Sequence, residues 1–227
     1  MASLILFDLD GTLTESHPGI IRSIRYALDA MGYPHPADEV LRLFVGPPLA
    51  ESFAGYLHMP EQDIPEAIRL YREYFSSRGK YENSVYDGIP AMLESLSRSG
   101  YRLGTASSKP EAFVRDILAY FQLADYFSLI CGASMDGTRS EKPDVIRYVL
   151  QEAGYGQADA ETLRREVVMV GDRRYDVTGA HEMGLSAIGV TWGYGSREEL
   201  TESGADALAA DPEELYRILT GNCTKKL

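Results

Sequence analysis

Cysteine is scarce in this sequence of 227 residues, which contains only Cys131 and Cys223. Their spacing is not that of a metal site, and two unpaired thiols are typical of a reducing compartment. The first residues carry no basic leader, and their apolar run is too short for a signal peptide. No stretch approaches the roughly 20 apolar residues that cross a bilayer. We therefore expect a cytoplasmic protein with no membrane partner.

Basic residues are also in short supply. The sequence has 22 lysines and arginines against 34 aspartates and glutamates, which gives a formal net charge of −12. A field of this sign repels a nucleic acid polymer, and we find no basic patch that would override it. A small anion can still bind where a metal ion supplies positive charge locally. The balance of charge therefore favours a small-molecule partner over a polyanion.

Short apolar segments alternate with helical patterns along most of the chain. Strands of a parallel sheet are apolar throughout because both faces are covered, so these segments predict such strands. The predicted strands are residues 4–7, 102–106, 129–133, 167–170 and 187–191. Pro110 and Pro143 begin two of the intervening helices, and Gly154 follows the second. This alternation predicts an α/β fold, a Rossmann-like doubly wound parallel sheet.

The stretch between the first two strands breaks this alternation. Residues 16–82 show helical periodicity and no predicted strand. We therefore expect an inserted helical cap domain over residues 16–82 and an α/β core domain over residues 1–15 and 83–227. A cap of this kind is expected to close over a site, exclude bulk water and select the leaving group.

Three predicted strands end in polar residues. The first runs into Asp8 and Asp10, the second ends at Ser107, and the fourth ends at Asp172, with Asp176 four residues later. In an open parallel sheet the carboxyl ends of the strands line one crevice where ligands bind. We expect these five side chains to converge there although they lie far apart in the sequence.

This acidic group predicts a metal site for phosphoryl chemistry. Four carboxylates in one crevice repel each other unless a cation is present, and their oxygen ligands suit Mg²⁺. A phosphoryl group needs further neutralising donors. Lys142, the Ser107 hydroxyl and the backbone amides of the turn at Gly11 can supply them. A covalent carboxyl-phosphate would divide the difficult hydrolysis of a phosphate monoester into two easier steps.

Asp8 and Asp10 lie two residues apart on an extended segment, so their side chains can point the same way. We assign Asp8 as the nucleophile that attacks phosphorus. Asp10 is assigned as the general acid that protonates the leaving group and then as the base that takes a proton from water.

Four motifs in this order resemble those of the haloacid dehalogenase superfamily. Residues 7–14 resemble the first motif, Ser107 the second, Lys142 with Pro143 the third, and residues 171–176 the fourth. The resemblance spans nearly the whole chain, and it includes a helical cap after the first motif. It implies a phosphatase that acts through an aspartyl-phosphate. Dehalogenases of the superfamily lack the second aspartate, so the presence of Asp10 argues against that chemistry.

The resemblance also implies a set of ligands. Mg²⁺ would be held by the Asp8 carboxylate, the Asp10 backbone carbonyl and Asp172, with Asp176 in an outer or water-mediated position. Lys142 would neutralise both the nucleophile and the phosphate. The residues expected to bind the phosphate group are Gly11, Thr12, Ser107, Ser108 and Lys142.

Within the superfamily, residues 45–49, 136–140 and 189–195 resemble phosphoglycolate phosphatases and the bacterial 5′-nucleotidase-like group. This similarity implies a small phosphomonoester as substrate, similar to phosphoglycolate or a nucleoside monophosphate. We expect a monomer or a weak homodimer.

Several alternatives stay open at this point. A phosphosugar mutase would use the same phosphoaspartate, and a catalytically silent regulatory protein could keep the same fold. Ser107 could cap the helix that Pro110 begins, and Asp176 could cap its own helix instead of binding the metal. Lys109 is interpreted as a structural residue.

Overall fold

The alternating apolar and amphipathic segments form strands and helices in the computed structural model, which describes residues 2–221; Cys223 lies outside that range. The strands in this range are β1 (Leu4–Phe7), β2 (Thr14–Glu15), β3 (Ser84–Val85), β4 (Arg102–Pro110), β5 (Leu129–Ala133), β6 (Val167–Gly171), β7 (Ser186–Val190) and β8 (Ala207–Ala209). The helices are α1 (His17–Met31), α2 (Asp38–Arg42), α3 (Leu49–Leu57), α4 (Ile64–Ser77), α5 (Ile89–Arg98), α6 (Glu111–Tyr120), α7 (Lys142–Glu152), α8 (Ala160–Glu166), α9 (Arg174–Glu182), α10 (Arg197–Glu202) and α11 (Pro212–Leu219). Among residues 2–221, none of the helices has both the length and the apolar character that a membrane crossing requires.

Six of the described strands form a parallel sheet in the order β5-β4-β1-β6-β7-β8. The predicted α/β fold with a Rossmann-like sheet is confirmed. The prediction missed β8, a strand of three residues, and it ended β4 four residues too early. Both errors fall on segments that are short or polar and so carry little of the apolar pattern that predicts a strand.

The strand order changes direction at β1, and this change positions the site. From β1 the chain continues the sheet through β4 to β5, and then β6 pairs with the opposite edge of β1. Phe7 is in register with Thr105 on one side and with Val170 on the other. The residues that follow Phe7 and Val170 therefore emerge side by side, at the position where open α/β sheets bind ligands.

Alternate residues of β1 pack against helices on one face of the sheet. Leu4 and Leu6 are fully buried and belong to a cluster that also contains the apolar residues of α7 and α9. Val145 and Val149 of α7 and Val177 of α9 are among them. Since burial of apolar area is the main stabilising term, this packing anchors the helices that carry site residues at their first turns.

The chain divides into two compact units: one comprises the residues up to Leu13 and from Val85 onward, and the other is Thr14–Ser84. The second unit is helical, with α1 and α4 packed together. A Cβ atom on Gly19 of α1 would overlap the carbonyl oxygen of Gly79, so the backbones approach closely only because Gly19 is a glycine. The role of this unit as a substrate-selecting cap stays a prediction.

Candidate active site

The turn after β1 places two acidic side chains at the edge of the sheet. The amide of Asp8 donates a 2.9 Å hydrogen bond to the carbonyl of Val170. Gly11 has a φ of 86°, in the left-handed region that glycine adopts without strain. The carbonyl of Leu9 accepts from the amides of Thr12 and Leu13, at 3.3 and 2.9 Å. Because this turn is tight and hydrogen-bonded, the carboxylates of Asp8 and Asp10 are held in fixed, buried positions.

Asp172 follows β6 and is fully buried. Its Oδ1 accepts a 3.2 Å hydrogen bond from the Thr12 hydroxyl, and its Oδ2 accepts a 2.7 Å bond from the amide of Tyr194. Both the hydroxyl and the amide of Thr12 are thus engaged within the protein. In this structure Thr12 orients an acidic residue, and its expected part in phosphate binding remains a prediction.

Three of the four expected carboxylates come together. Asp8, Asp172 and Asp176 each offer a carboxylate oxygen, and these oxygens lie within 4.8 Å of one another. All three residues are buried. The side chain of Asp10 is not in this group and forms an ion pair with Lys109 instead. A ligand role for Asp10 would therefore have to come from its backbone carbonyl, which is what the resemblance implies.

Lys142 is the single ammonium ion paired with this acidic group in the described part of the chain. It is the first residue of α7, and its Nζ lies 2.6 Å from Asp176 Oδ1 and 3.1 Å from Asp8 Oδ1. It also donates a 2.9 Å hydrogen bond to the carbonyl of Ala106 on β4. Burial alone would lower the pKa of Lys142, but the charges of Asp176 and Asp8 outweigh burial and raise that pKa.

The charges at this site do not balance within the described protein atoms. Burial raises the pKa of Asp172 well above its ordinary value, and the charges of Asp176 and Asp8 act in the same direction. Burial also raises the pKa of Asp176, although the neighbouring Lys142 opposes the shift. Since three carboxylates face one ammonium, two negative charges remain when all are ionised.

A divalent cation fits this arrangement. The buried oxygens Asp8 Oδ1 and Asp176 Oδ1 are close enough to Lys142 for ion pairs, but neither has a well-directed hydrogen-bond partner among residues 2–221. Buried oxygens of this kind cost free energy unless something coordinates them. A group of carboxylate oxygens is the donor set that Mg²⁺ prefers, and one such ion would cancel the excess charge.

Asp176 caps its helix, which is one of the two alternatives that the sequence left open, and it also contacts Lys142. Its Oδ2 accepts a 3.0 Å hydrogen bond from the amide of Arg173, as part of a capping box at the start of α9. Its Oδ1 faces Lys142. Asp176 therefore caps its helix with one oxygen and presents the other to the acidic group, and metal binding by that second oxygen stays a prediction.

The end of β4 places Ser107, Ser108 and Lys109 near the same edge. The suggestion that Ser107 caps α6 is wrong, because β4 runs on to Pro110 and Pro110 itself is the N-cap residue. Ser107 is buried, and its hydroxyl accepts a 3.3 Å hydrogen bond from the amide of Lys109. Ser108 is half-buried. Phosphate binding by Ser107 and Ser108 remains a prediction.

Residues 189–195 resemble a lineage in the sequence, and in the structure part of this segment also supports the site. After β7, the indole nitrogen of Trp192 donates a 3.1 Å hydrogen bond to the carbonyl of Thr12. Gly193 packs against the first-motif turn and Asp172 so closely that a Cβ atom would overlap both. The glycines in residues 189–195 could have indicated this contact from the sequence, because glycine permits a close approach of two backbones.

Known proteins match this sequence over most of its length. A family model described as "Haloacid dehalogenase-like hydrolase" matches residues 5–190. The chain is 41% identical over 216 residues to a protein of Pseudomonas aeruginosa named "5'-nucleotidase", a match that covers 95% of this chain and 94% of that protein. It is 39% identical over 218 residues to "Tyrosine-protein kinase PtkA" of Mycobacterium tuberculosis, over 95% of this chain and 72% of that protein.

Solved structures agree with these matches. The fold aligns with the crystal structure of a predicted phosphatase from Clostridium acetobutylicum with a TM-score of 0.90 and 42% sequence identity. The alignment covers 97% of this chain and 99% of that chain.

Proposed function

The chain belongs to the haloacid dehalogenase-like hydrolases and is a phosphatase, and we propose that it hydrolyses a small-molecule phosphomonoester through an aspartyl-phosphate on Asp8. The observation that carries this proposal is the buried group of Asp8, Asp172 and Asp176 around Lys142. This group combines a carboxylate nucleophile, oxygen ligands for a cation and a fixed ammonium in one place. Phosphoryl transfer requires little more than such positioning and charge neutralisation.

In the first step, a carboxylate oxygen of Asp8 attacks the phosphorus atom of the substrate. The bond from Asp8 to phosphorus forms as the bond from phosphorus to the ester oxygen breaks. The leaving oxygen takes a proton from Asp10, which becomes a carboxylate. Lys142, whose Nζ lies 3.1 Å from Asp8 Oδ1, would bind oxygens of the phosphoryl group as that group transfers to Asp8.

In the second step, water attacks the phosphorus atom of the aspartyl-phosphate. Asp10 takes a proton from that water, and the bond from phosphorus to Asp8 breaks. Inorganic phosphate leaves, and both aspartates return to their starting states. A single carboxyl group can thus serve both steps, because the proton it loses in the first step is recovered in the second.

Mg²⁺ is part of the proposal. The residues that would hold it are Asp8, Asp172, the backbone carbonyl of Asp10 and, directly or through water, Asp176. When bound, the ion supplies positive charge that neutralises the phosphoryl oxygens and orients them towards the nucleophile. The excess of two negative charges among the buried side chains supports a divalent ion here.

For the substrate, we propose nucleoside monophosphates as the first class to test, with phosphoglycolate as the second. The relative named 5′-nucleotidase matches over 95% of this chain, which supports this order. Substrate selection by the helical unit, a cytoplasmic location and a monomeric or weakly dimeric state remain predictions from the sequence.

The experiment that tests the proposal measures phosphate release from a panel of phosphate esters in the presence of Mg²⁺. The panel contains nucleoside monophosphates, phosphoglycolate and sugar phosphates, and the Asp8→Asn protein is the negative control. We expect free phosphate from at least one small ester with the wild-type protein and none with the variant. Isomerised sugar phosphate without free phosphate would indicate a mutase, and label transferred from ATP to a protein tyrosine would indicate a kinase. Either result in place of phosphate release would contradict the proposal.

A further inference from the structure

A second buried lysine sits beside Asp10, apart from the group that contains Lys142. Lys109 Nζ lies 2.6 Å from Asp10 Oδ2 and donates a hydrogen bond to it. Only 6% of the Lys109 side chain and 11% of the Asp10 side chain are exposed. The two ammonium groups thus contact different aspartates, because Lys142 contacts Asp8 and Asp176 while Lys109 contacts Asp10.

An irregularity in β4 brings Lys109 to this position. The pairing of β4 with β5 shifts between Ser107 and Pro110, as in a β-bulge. Gly132 of β5 passes close to this segment, and a Cβ atom there would lie within 3.0 Å of the Glu111 amide. The Lys109 amide donates to the Ser107 hydroxyl at 3.3 Å. The local structure therefore fixes the backbone from which the Lys109 side chain reaches Asp10.

Stability alone is a poor explanation for this pair. Removing two charges from water costs free energy that their attraction often fails to recover, and an apolar pair of similar volume is frequently as stable. Lys109 contacts the residue that we propose to transfer protons in both steps. Bulges are also common next to active sites, where they redirect a side chain.

The two oxygens of Asp10 have different surroundings. Oδ2 accepts the hydrogen bond from Lys109. Oδ1 is also buried, but it accepts no hydrogen bond from any group within residues 2–221. A fixed Oδ2 leaves the carboxyl group with little freedom to rotate, so Oδ1 keeps one direction.

We propose that Lys109 is a positioning residue that holds Asp10 through Oδ2 and so presents Oδ1 as the oxygen that transfers the proton. The inference rests on the proposed function, since it deepens the role given there to Asp10. The first step uses the neutral form of Asp10, and the proton on Oδ1 passes to the leaving oxygen. In the second step Oδ1 of the resulting carboxylate receives a proton from water. Lys109 exchanges no proton in either step and donates its hydrogen bond to Oδ2 throughout.

The test compares Lys109→Met, Asp10→Asn and the double variant on two substrates. One is an alkyl phosphate, whose poor leaving group needs a proton, and the other is 4-nitrophenyl phosphate, whose good leaving group does not. A positioned general acid contributes about 10²- to 10⁴-fold to a rate. We expect Lys109→Met to lower kcat/KM, which reports the step in which the leaving group departs, by about tenfold or more on the alkyl phosphate and by a clearly smaller factor on the nitrophenyl ester.

The double variant separates positioning from a general structural role. If Lys109 acts through Asp10, the protein with both changes should be no slower on the alkyl phosphate than Asp10→Asn alone. Lys109→Gln serves as a second uncharged variant in case Lys109→Met does not fold, and Arg98→Met removes an exposed cation of α5 as a matched control. Unfolding curves of every variant report on the fold.

The results that overturn the inference are distinct. Equal losses of kcat/KM on the two substrates, losses that multiply in the double variant, or unchanged kcat/KM on the alkyl phosphate in both Lys109 variants would each exclude positioning through Asp10. If Asp10→Asn itself keeps full turnover, the proposed role of Asp10 fails and the inference about Lys109 fails with it. If Asp10→Asn is slow but Lys109→Met is not, only the inference fails.

Discussion

The amide of Tyr194 donates a 2.7 Å hydrogen bond to Asp172 Oδ2, and this bond ties the loop after β7 to the buried carboxylate after β6. Gly193 precedes it and packs against the carbonyl of Gly11 and the side chain of Asp172. The turn of the first motif, the fourth-motif aspartate and this loop therefore form one packed unit. The position of Asp172 therefore depends on its contacts with the other two segments, although all three lie far apart in the sequence.

A methyl group at residue 193 should disturb this unit. In Gly193→Ala the added Cβ would lie within 3.0 Å of the carbonyl oxygen of Gly11 and of Asp172 Oδ2, closer than real Cβ contacts allow. We expect a loss of about 1–3 kcal/mol in the free energy of unfolding, the usual cost of overpacking, together with weaker Mg²⁺ binding. Urea denaturation and metal titration measure the two effects.

Gly55→Ala is the matched control, because a Cβ at Gly55 in helix α3 meets nothing within 4 Å. Alanine is favoured over glycine inside a helix by about 1 kcal/mol, so this variant should be as stable as the wild type or slightly more stable. Equal effects of the two substitutions would contradict the close packing described for residue 193.

Removal of the ammonium at Lys142 should destabilise the metal-free protein. Lys142→Met leaves the carboxylates of Asp8 and Asp176 without their shared cation, and breaking a buried ion pair costs about 3–5 kcal/mol. Turnover should also fall by orders of magnitude. The control is Arg147→Met on the same helix, where the ion pair with Asp144 is exposed and little change is expected. Similar unfolding curves for the two variants would contradict a stabilising role for the buried ion pairs of Lys142.

Asp172→Asn should separate stability from metal binding. The asparagine can keep its oxygen towards the Tyr194 amide and turn its NH₂ group towards the Thr12 hydroxyl, which can act as an acceptor. The substitution removes a buried negative charge, so the metal-free protein should be at least as stable as the wild type. The stabilisation by Mg²⁺ should disappear. Thermal unfolding with EDTA and with excess Mg²⁺ tests both points, and a variant that Mg²⁺ still stabilises fully would exclude Asp172 as a ligand.

The raised pKa values give a pH dependence with a definite sign. Burial raises the pKa of Asp172 and of Asp176 in the folded protein above the pKa that each has in the unfolded chain. Between the unfolded and the folded pKa, the folded protein therefore binds more protons than the unfolded chain. These two groups therefore make the metal-free protein less stable as the pH rises through that window. Mg²⁺ competes with protons for the same oxygens. We expect Mg²⁺ to raise the melting temperature more at about pH 7.5 than at about pH 5, and the reverse order would contradict this account.

The sequence predicted the fold and the acidic site because both depend on local patterns. Apolar strands of four or five residues are visible in the sequence, three of them lead into polar residues, and the parallel topology brings their ends together. Strand β8 was missed because three residues carry too little pattern. It is defined by pairing with β7, which only the folded chain shows.

The contact between Lys109 and Asp10 could not be predicted for a similar reason. It depends on a register shift in β4 that has no sequence signature of its own, and on side chains 99 positions apart. The sequence also predicted that the Asp10 side chain lies with the other three carboxylates, whereas in the structure it pairs with Lys109. Spacing along a strand shows which side chains share a face, but it does not show which cation each one meets.

The measurement that tests the central claim most directly is identification of the phosphorylated residue. The protein is mixed with substrate and Mg²⁺, quenched during turnover and treated with borohydride, which reduces an acyl phosphate to an alcohol. Peptide mass spectrometry then locates the reduced residue. We expect homoserine at residue 8 and at no other aspartate, and no reduction in a sample without substrate. Rapid turnover with no modification of Asp8, or with modification of a different residue, would contradict the aspartyl-phosphate mechanism.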